Sequence, residues 1–432
     1  MPGERRSAGF LRYGAVLAAC LLPLACAAAE APPGNTATFD AIRKAEAGGD
    51  YASAFALLLP LADASDATAE GMLGFLYDNG HGVPRDYAEA RKWYELAAAQ
   101  GNPIAMNNLG FLYAQGHGVK QNYARALAWY RRAAIAGDAL AARNLGFLYA
   151  NGLGTAKNEA EAAKWYRVAA DGKDAGAQTN LGMLYAEGKG VARDDKKAIA
   201  LYRLAAAQGD TLAENNIGMM YEAGRGVPKS YADAEKWYRL AATHGDAGAQ
   251  TNLGFLYEQG HGVQQNDAEA VKWYRLAAAQ GYALAQSNLG AMYETGKGVV
   301  QNYRKAVEWT RLAAGQGNPM AQTNLAAMYA EGWGVEQDYA KATALLRAAA
   351  AQQYPRAQSA LGILYATGRG VPRDLVKAYA WLALAAAGGA TDPAIARTAA
   401  NDGNAVAGHM TPQQIAAAQA LVRAWQAPTP PQ

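Results

Sequence analysis

Residues 249–278 read AQTNLGFLYEQGHGVQQNDAEAVKWYRLAA, and this pattern returns through most of the chain. Its Leu-Gly pair recurs at an unbroken interval of 36 residues, with Ala326 replacing the glycine in one copy. The first residues of the nine pairs are Leu73, Leu109, Leu145, Leu181, Ile217, Leu253, Leu289, Leu325 and Leu361. A tyrosine lies four residues after each, and a Gly-x-Gly follows the tyrosine in every copy. A period this regular predicts an array of stacked structural units.

Each unit is expected to contain two helices. In the first copy, Leu73, Leu76 and Tyr77 are three and four residues apart, which predicts one apolar stripe of a helix, here called helix A. The glycines at 80 and 82 end it, because glycine readily adopts left-handed backbone geometry. A second stripe predicts helix B and consists of Ala90, Trp93, Tyr94, Ala97 and Ala98. Such a pair cannot bury its apolar faces alone, so neighbouring pairs must stack.

The combined pattern resembles the Sel-1-like repeat, a relative of the tetratricopeptide repeat. It is plainest at residues 249–257, 260–263 and 270–278, and it covers about residues 67–390. The resemblance implies an all-α fold, a right-handed superhelical α/α solenoid of about nine 36-residue helix-turn-helix repeats with terminal caps. It also implies an adaptor that binds another protein or an extended peptide along its concave face.

The regions outside the repeats carry separate predictions. Residues 30–66 are expected to form a divergent N-terminal helical cap, and residues 391–432 a C-terminal capping helix and tail. Within the latter, Thr411–Trp425 has the pattern of an amphipathic helix, whereas residues 388–410 are predicted to form a loop containing a short helix.

Residues 1–29 have the organisation of an export signal. Three arginines precede an apolar run from Tyr13 to Leu24, and small residues follow up to Ala29, where cleavage is expected. The run is too short to span a membrane, and the sequence predicts a periplasmic or secreted bacterial protein. Cys20 and Cys26 leave a lipid anchor open as an alternative. Cleavage near Ala29 would remove both cysteines and with them any disulfide.

Charge and motifs argue against several classes of function. The formal net charge is +3, and part of it lies in the first 12 residues, so no basic surface for nucleic acid is indicated. No serine, cysteine or acid pair stands out as a nucleophile with a base, so we expect neither an enzyme nor a cofactor. The alternatives are a cell-envelope or polysaccharide binder and a β-lactam or cell-wall hydrolase.

Three of the five histidines, His81, His117 and His261, occupy the variable position of Gly-x-Gly. Equivalent loops of stacked helices lie roughly 10 Å apart, which is too far for two of them to share a metal ion. The position also accepts Leu153, Lys189 and Trp333, so it is interpreted as solvated loop rather than as a metal site.

Two rows on helix A are candidate binding residues. The asparagine row precedes each Leu-Gly pair and could offer amides to a peptide backbone or tie neighbouring repeats together: Asn108, Asn144, Asn180, Asn216, Asn252, Asn288 and Asn324. The apolar row lies two positions after each Leu, and its bulkiest members are Phe75, Phe111, Phe147, Met183, Met219 and Phe255. A polar edge beside it is expected from Arg143, Thr179, Asn215, Thr251, Ser287 and Thr323. The apolar row either contacts a partner or completes helix packing.

Overall fold

A computed structural model of the chain describes residues 35–388 and 392–426. Over these ranges the protein contains 22 α-helices and no strand, which confirms the all-α prediction. The predicted signal at residues 1–29, with Cys20 and Cys26, lies outside the described residues, as does the end of the tail from residue 427. None of the helices in these ranges combines the length and the apolar character needed to cross a membrane.

The chain divides into two compact units, one ending at Lys229 and the other beginning at Ser230. The first unit contains α1 (Thr36–Ala47), α2 (Tyr51–Asp63), α3 (Ala67–Asn79), α4 (Tyr87–Ala99), α5 (Pro103–Gln115), α6 (Tyr123–Ile135), α7 (Ala139–Asn151), α8 (Glu159–Asp171), α9 (Ala175–Glu187), α10 (Asp195–Ala206) and α11 (Thr211–Ala223). The second contains α12 (Tyr231–Thr243), α13 (Ala247–Gln259), α14 (Asp267–Ala279), α15 (Ala283–Thr295), α16 (Tyr303–Gly315), α17 (Pro319–Glu331), α18 (Tyr339–Ala351), α19 (Pro355–Thr367), α20 (Leu375–Ala387), α21 (Pro393–Ala407) and α22 (Pro412–Gln426). From α3 to α20, odd-numbered helices are A helices and even-numbered helices are B helices.

Local signals set the ends of these helices. Asp86 is the N-cap of α4, and its Oδ1 accepts hydrogen bonds from the backbone N–H groups of Ala88 and Glu89 at 2.8 and 3.1 Å. Gly80 ends α3 with φ of 71°, a left-handed conformation that glycine adopts without strain. Both signals recur in each copy, so local sequence sets the ends of the helix pair.

The Leu-Gly pair places helix A directly on helix B. In the second repeat, a Cβ added to Gly110 would lie 2.7 Å from ring atoms of Tyr130, which is fully buried on α6. Only glycine permits this approach, because a methyl group at that distance would overlap the ring. In the eighth repeat the tyrosine position holds Leu346, and there the glycine is replaced by Ala326 in the same buried cluster.

Two helices follow the last repeat, where the sequence predicts one capping helix after a loop with a short helix. Helix α21 contains 15 residues and packs on α20, so most of residues 388–410 is regular helix. The sequence pattern does not reveal this helix, because its buried side consists of Ala399, Gly403 and Val406 and contains few large apolar residues. Helix α22 also packs on α20, with the rings of Trp381 and Trp425 stacked at 4.5 Å.

Candidate protein-binding surface

The two predicted rows share one stripe of each A helix. On α5, Asn108 and Phe111 are three residues apart and both are half-buried, whereas Leu109 and Gly110 between them face the core. The same arrangement recurs on α7 with Asn144 and Phe147. On these two helices the stripe is therefore partly exposed.

The apolar row divides into two groups. Phe75, Met183 and Met219 are buried, and Phe75 keeps only 8% of its surface exposed. Phe111, Phe147 and Phe255 remain half-buried, with part of each ring open to solvent. Rings available for contact therefore occur in the second, third and sixth repeats, whereas the buried members complete packing.

The asparagine row divides in the same way. Asn216 and Asn288 are buried, whereas the row members at 108, 144, 180, 252 and 324 are half-buried. Asn144 Nδ2 donates to Asn107 Oδ1 at 3.2 Å, and Asn107 Nδ2 donates to Asn108 Oδ1 at 3.3 Å. At this point the amides tie neighbouring repeats together, and the half-buried members keep an accessible side.

The prediction of a polar edge beside the apolar row is wrong for most of the residues named for it, because they are buried. Thr179, Asn215, Thr251 and Ser287 are buried. The hydroxyl of Thr251 donates to the carbonyl oxygen of Ala247 at 2.7 Å, within its own helix. These side chains point between A helices, because their position lies one residue before the asparagine row and about 100° around the helix.

The loop histidines are stacked rather than simply solvated. The ring of His117 lies 4.6 Å from that of Tyr87, the first residue of the preceding B helix, and contacts Phe111 edge-on at 5.8 Å. His81 and His261 repeat this arrangement with Tyr51 and Tyr231. Within the described ranges, no three His, Cys, Asp or Glu side chains are grouped closely enough to hold a metal ion.

The variable residue of Gly-x-Gly belongs to a joint between neighbouring repeats, a feature that sequence reasoning missed. In five copies it meets the residue 30 positions earlier. Arg225 pairs in this way with Asp195, Nε to Oδ2 at 3.2 Å. Trp333 stacks on Tyr303 in the same way at 5.6 Å. A comparison of these positions with those 30 residues earlier would have shown the signal: His and Trp are paired with Tyr, and Arg225 is paired with Asp.

Two further ladders join the repeats. An arginine near the end of one B helix donates to the hydroxyl of the repeat tyrosine in the next A helix, as Arg167 does to Tyr185 at 2.8 Å. On the other side, Gln280 donates to Gln250 Oε1 at 2.9 Å, and Gln250 donates to the carbonyl oxygen of Ala242 at 3.1 Å. The bonds from Arg167 to Tyr185 and from Gln250 to Ala242 each cross from one repeat to its neighbour.

Buried carboxylates occur beside the helix B tyrosines. Tyr94 donates to Asp78 Oδ2 at 3.3 Å, and Tyr274 donates to Glu258 Oε2 at 2.8 Å. Burial raises the pKa of Asp78, and the bond from Tyr94 opposes the rise only in part. Each of these acids accepts a hydrogen bond from a fully buried tyrosine, which is consistent with a role in packing.

The repeated helix pairs, their joints and the half-exposed stripe define an α/α repeat protein of the interaction-scaffold type. The chain belongs to the Sel1 repeat family, whose repeat matches residues 67–102, 103–138, 139–174, 175–210, 211–246, 247–282, 283–318, 319–354 and 355–389. Sel1 repeat proteins are in general scaffolds for protein–protein interaction.

A solved structure gives the same family. A Sel1 repeat protein from Oxalobacter formigenes is 35% identical with a TM-score of 0.56, and the match covers 71% of this chain and 90% of that one. A protective antigen present in uropathogenic Escherichia coli strains, which displays an SLR fold, is 31% identical with a TM-score of 0.49 and coverage of 86% and 94%. A search of curated proteins found no match.

Proposed function

We propose that this protein is an exported scaffold that holds another protein, or an extended segment of one, on the half-exposed stripe of its A helices. The family resemblance leads us to expect such binding along a concave face formed by the A helices. The observation that supports this most directly is the exposure of Phe111, Phe147 and Phe255, whose equivalents at 75, 183 and 219 are buried. Aromatic rings left partly in water are typical anchors of protein interfaces.

Export is supported by the sequence of residues 1–29 alone. We propose cleavage near Ala29 and a periplasmic or secreted location, with a lipid anchor at Cys20 or Cys26 as the less favoured alternative. Mass spectrometry of the mature protein from a bacterial host tests this. A mature protein that begins at Glu30 would support simple export. A mature protein that begins at a lipid-modified cysteine would instead support the lipid-anchored form.

Affinity capture from an envelope extract tests the binding function. The bait is residues 30–432, and its variant carries Phe111→Ser, Phe147→Ser and Phe255→Ser. The control carries Leu96→Ser, Leu204→Ser and Leu276→Ser, three leucines on B helices that are each about half-exposed. Circular dichroism at 222 nm confirms that both variants keep their helical content.

We expect a stoichiometric partner with the wild type and the leucine control, and at least tenfold less of it with the phenylalanine variant. Equal capture by all three proteins would place binding elsewhere on the molecule. Retention of cell-wall glycan without any protein would favour an envelope binder, and loss of helical content in the phenylalanine variant would assign these rings to the core.

A further inference from the structure

Positive charge is concentrated in one part of the chain. Residues 271–380 contain twelve Lys or Arg and six Asp or Glu, a net charge of +6, whereas the whole chain carries only +3. The remaining residues are therefore net negative. All of residues 271–380 belong to the second compact unit. This asymmetry indicates a local surface for an anionic ligand.

The structure arranges six of these cations in pairs around three tyrosines. The repeat tyrosines of α15, α17 and α19 each lie between two B helices, with an arginine from the preceding one and a lysine from the following one. At Tyr293, Arg275 Nη2 donates to the hydroxyl at 3.0 Å, and Lys305 Nζ lies 5.4 Å from the ring centroid. The arrangement recurs at Tyr329 and Tyr365. The six cations are all exposed, and we call them the basic ladder: Arg275, Lys305, Arg311, Lys341, Arg347 and Lys377.

Equivalent positions in earlier repeats mostly combine one cation with one acid. Twelve residues after the repeat tyrosine lie Glu161 in the third repeat, Asp233 in the fifth and Glu269 in the sixth, and the opposing residue in each is an arginine. Two cations also meet at Tyr185 in the fourth repeat, but the pairs on both sides of it are mixed. In the seventh, eighth and ninth repeats, pairs of two cations follow one another without interruption.

The acids of the same segment neutralise the ladder only in part. Lys341 and Lys377 pair with Asp338 and Asp374, each at 3.0 Å. Lys305 and the three arginines form no ion pair with the described residues. The other acids of residues 271–380 form no ion pair with the ladder within the described ranges: Glu294, Glu308, Glu331 and Glu336.

The third pair shows how such a site can hold a carboxylate. Arg347 Nη2 donates to the Tyr365 hydroxyl at 2.9 Å, so the protein positions the guanidinium, and its remaining N–H groups can bind a carboxylate. The hydrogen bond to Asp374 raises the pKa of Lys377, and the charge of Arg347 opposes the rise, so the two cations repel each other. A carboxylate bound between them would relieve this repulsion.

An acidic segment of a protein fits the ladder better than a larger polyanion does. The charge of a membrane surface or a nucleic acid extends past the ladder, and there it would meet the net negative remainder of the chain. A short segment meets the ladder alone. Sel1 repeat proteins also bind other proteins in general.

We propose that the basic ladder, on α14, α16, α18 and α20, binds an extended acidic segment of a protein partner, with its carboxylates at the three cation pairs. This surface goes beyond the proposed function. Each repeat tyrosine comes two residues after the apolar row and therefore lies about 200° around the A helix from it. The ladder is a second contact that does not depend on Phe111, Phe147 and Phe255.

Fluorescence anisotropy with the full chain and two labelled twelve-residue peptides tests the inference. The acidic peptide repeats Glu-Ser six times, and the neutral peptide repeats Gln-Ser six times. We expect the acidic peptide to bind at least tenfold more tightly in dilute buffer, and 1 M NaCl should remove the difference because salt screens exposed charges.

A charge-reversed variant locates the binding. It carries Lys305→Glu, Lys341→Glu and Lys377→Glu, and the fold accepts glutamate at this helix position, since Glu89, Glu161 and Glu269 occupy it in other repeats. The matched control reverses three exposed lysines of other B helices: Lys92→Glu, Lys164→Glu and Lys236→Glu. The ladder variant should bind the acidic peptide at least tenfold more weakly and the control less than threefold more weakly. If circular dichroism shows that the ladder variant has lost helical content, glutamine at the same three positions replaces it, with an expected loss of at least threefold.

Equal affinity for the two peptides, or equal losses in the ladder variant and its control, would overturn the inference. Phosphatidylglycerol vesicles and polygalacturonate serve as further probes. Binding of either one through the ladder, without binding of the acidic peptide, would show that the ligand is not a protein segment. The proposed function has a separate readout, because the phenylalanine variant should bind the acidic peptide as the wild type does, whatever it captures.

Discussion

Two joints between neighbouring repeats differ in chemistry but share one backbone. Between the first and second repeats His117 stacks on Tyr87, and between the fourth and fifth Arg225 pairs with Asp195. In both, the following glycine has a positive φ, 63° at Gly118 and 68° at Gly226, and lies against the first residue of the preceding B helix. The backbone of the joint is constant, and its side-chain pair is exchangeable provided that the two members match.

The largest expected effect comes from the feature that the joints share. A Cβ on Gly118 would lie 2.6 Å from Tyr87 Cβ, and one on Gly226 would lie 2.4 Å from the carbonyl oxygen of Asp195. We expect Gly118→Ala and Gly226→Ala each to destabilise the fold by about 3 kcal/mol or more, from backbone strain and overlap together. Thermal unfolding followed by circular dichroism measures this.

Gly137→Ala is the matched control, because Gly137 also has a positive φ, 98°, but no atom lies within 4 Å of its added Cβ. We expect Gly137→Ala to destabilise the fold by about 1–2 kcal/mol, because backbone strain is the only cost at this position. Equal losses at all three glycines would mean that the close approach at the joints contributes nothing beyond backbone geometry.

The sequence alone predicts those features of the fold that depend only on residues close together along the chain. The period, the helix pair and the need for small residues at Gly110 follow from apolar spacing and glycine geometry. Which members of a row remain exposed does not follow, because Phe75 is buried and Phe111 is half-buried in nearly the same local sequence. The difference comes from neighbouring repeats, and a single repeat carries no information about them.

The pairing at the joints shows the same limit. Taken alone, the variable position of Gly-x-Gly holds His, Leu, Lys, Arg and Trp, and such variety predicts a solvated loop. The residue 30 positions earlier is Tyr for the histidines and Asp for Arg225, which is a matched choice. The information is in the sequence, but it becomes readable only when the structure shows which two positions meet.

A second prediction distinguishes the charged joint from the aromatic joint by how salt changes the coupling free energy of each pair. Double-mutant cycles with alanine at Arg225 and Asp195, and at His117 and Tyr87, should each give a coupling free energy of about 1 kcal/mol in dilute buffer. In 1 M NaCl we expect the first coupling to fall by about half, since salt screens partly exposed charges, and the second to stay unchanged. Denaturant unfolding at the two salt concentrations provides the measurement. A salt-independent coupling for Arg225 and Asp195 would show that packing, not charge, holds that joint.

The smallest expected effect is an opposite pH response of two acids near these joints. Burial disfavours ionisation of Asp195, but the hydrogen bonds from Arg225 and Arg193 outweigh it and hold its pKa below the usual value. Asp195 therefore contributes stability at neutral pH that is lost as the pH falls below about 4. Burial raises the pKa of Asp78, which interacts with Tyr94 and His117, so ionised Asp78 weakens the fold at neutral pH and acidification towards pH 4 should relieve this.

Thermal midpoints of the wild type, Asp195→Asn and Asp78→Asn at pH 7, 5 and 3.5 test both signs. The Asp195 variant should lose less stability than the wild type between pH 5 and 3.5. The Asp78 variant should be the more stable protein at pH 7, with its advantage shrinking as the pH falls to 3.5, because protonation makes the native side chain equally neutral. If Asp78→Asn is instead less stable at pH 7, the carboxylate strengthens the Tyr94 hydrogen bond by more than its burial costs, and the acid stabilises the core in its charged form.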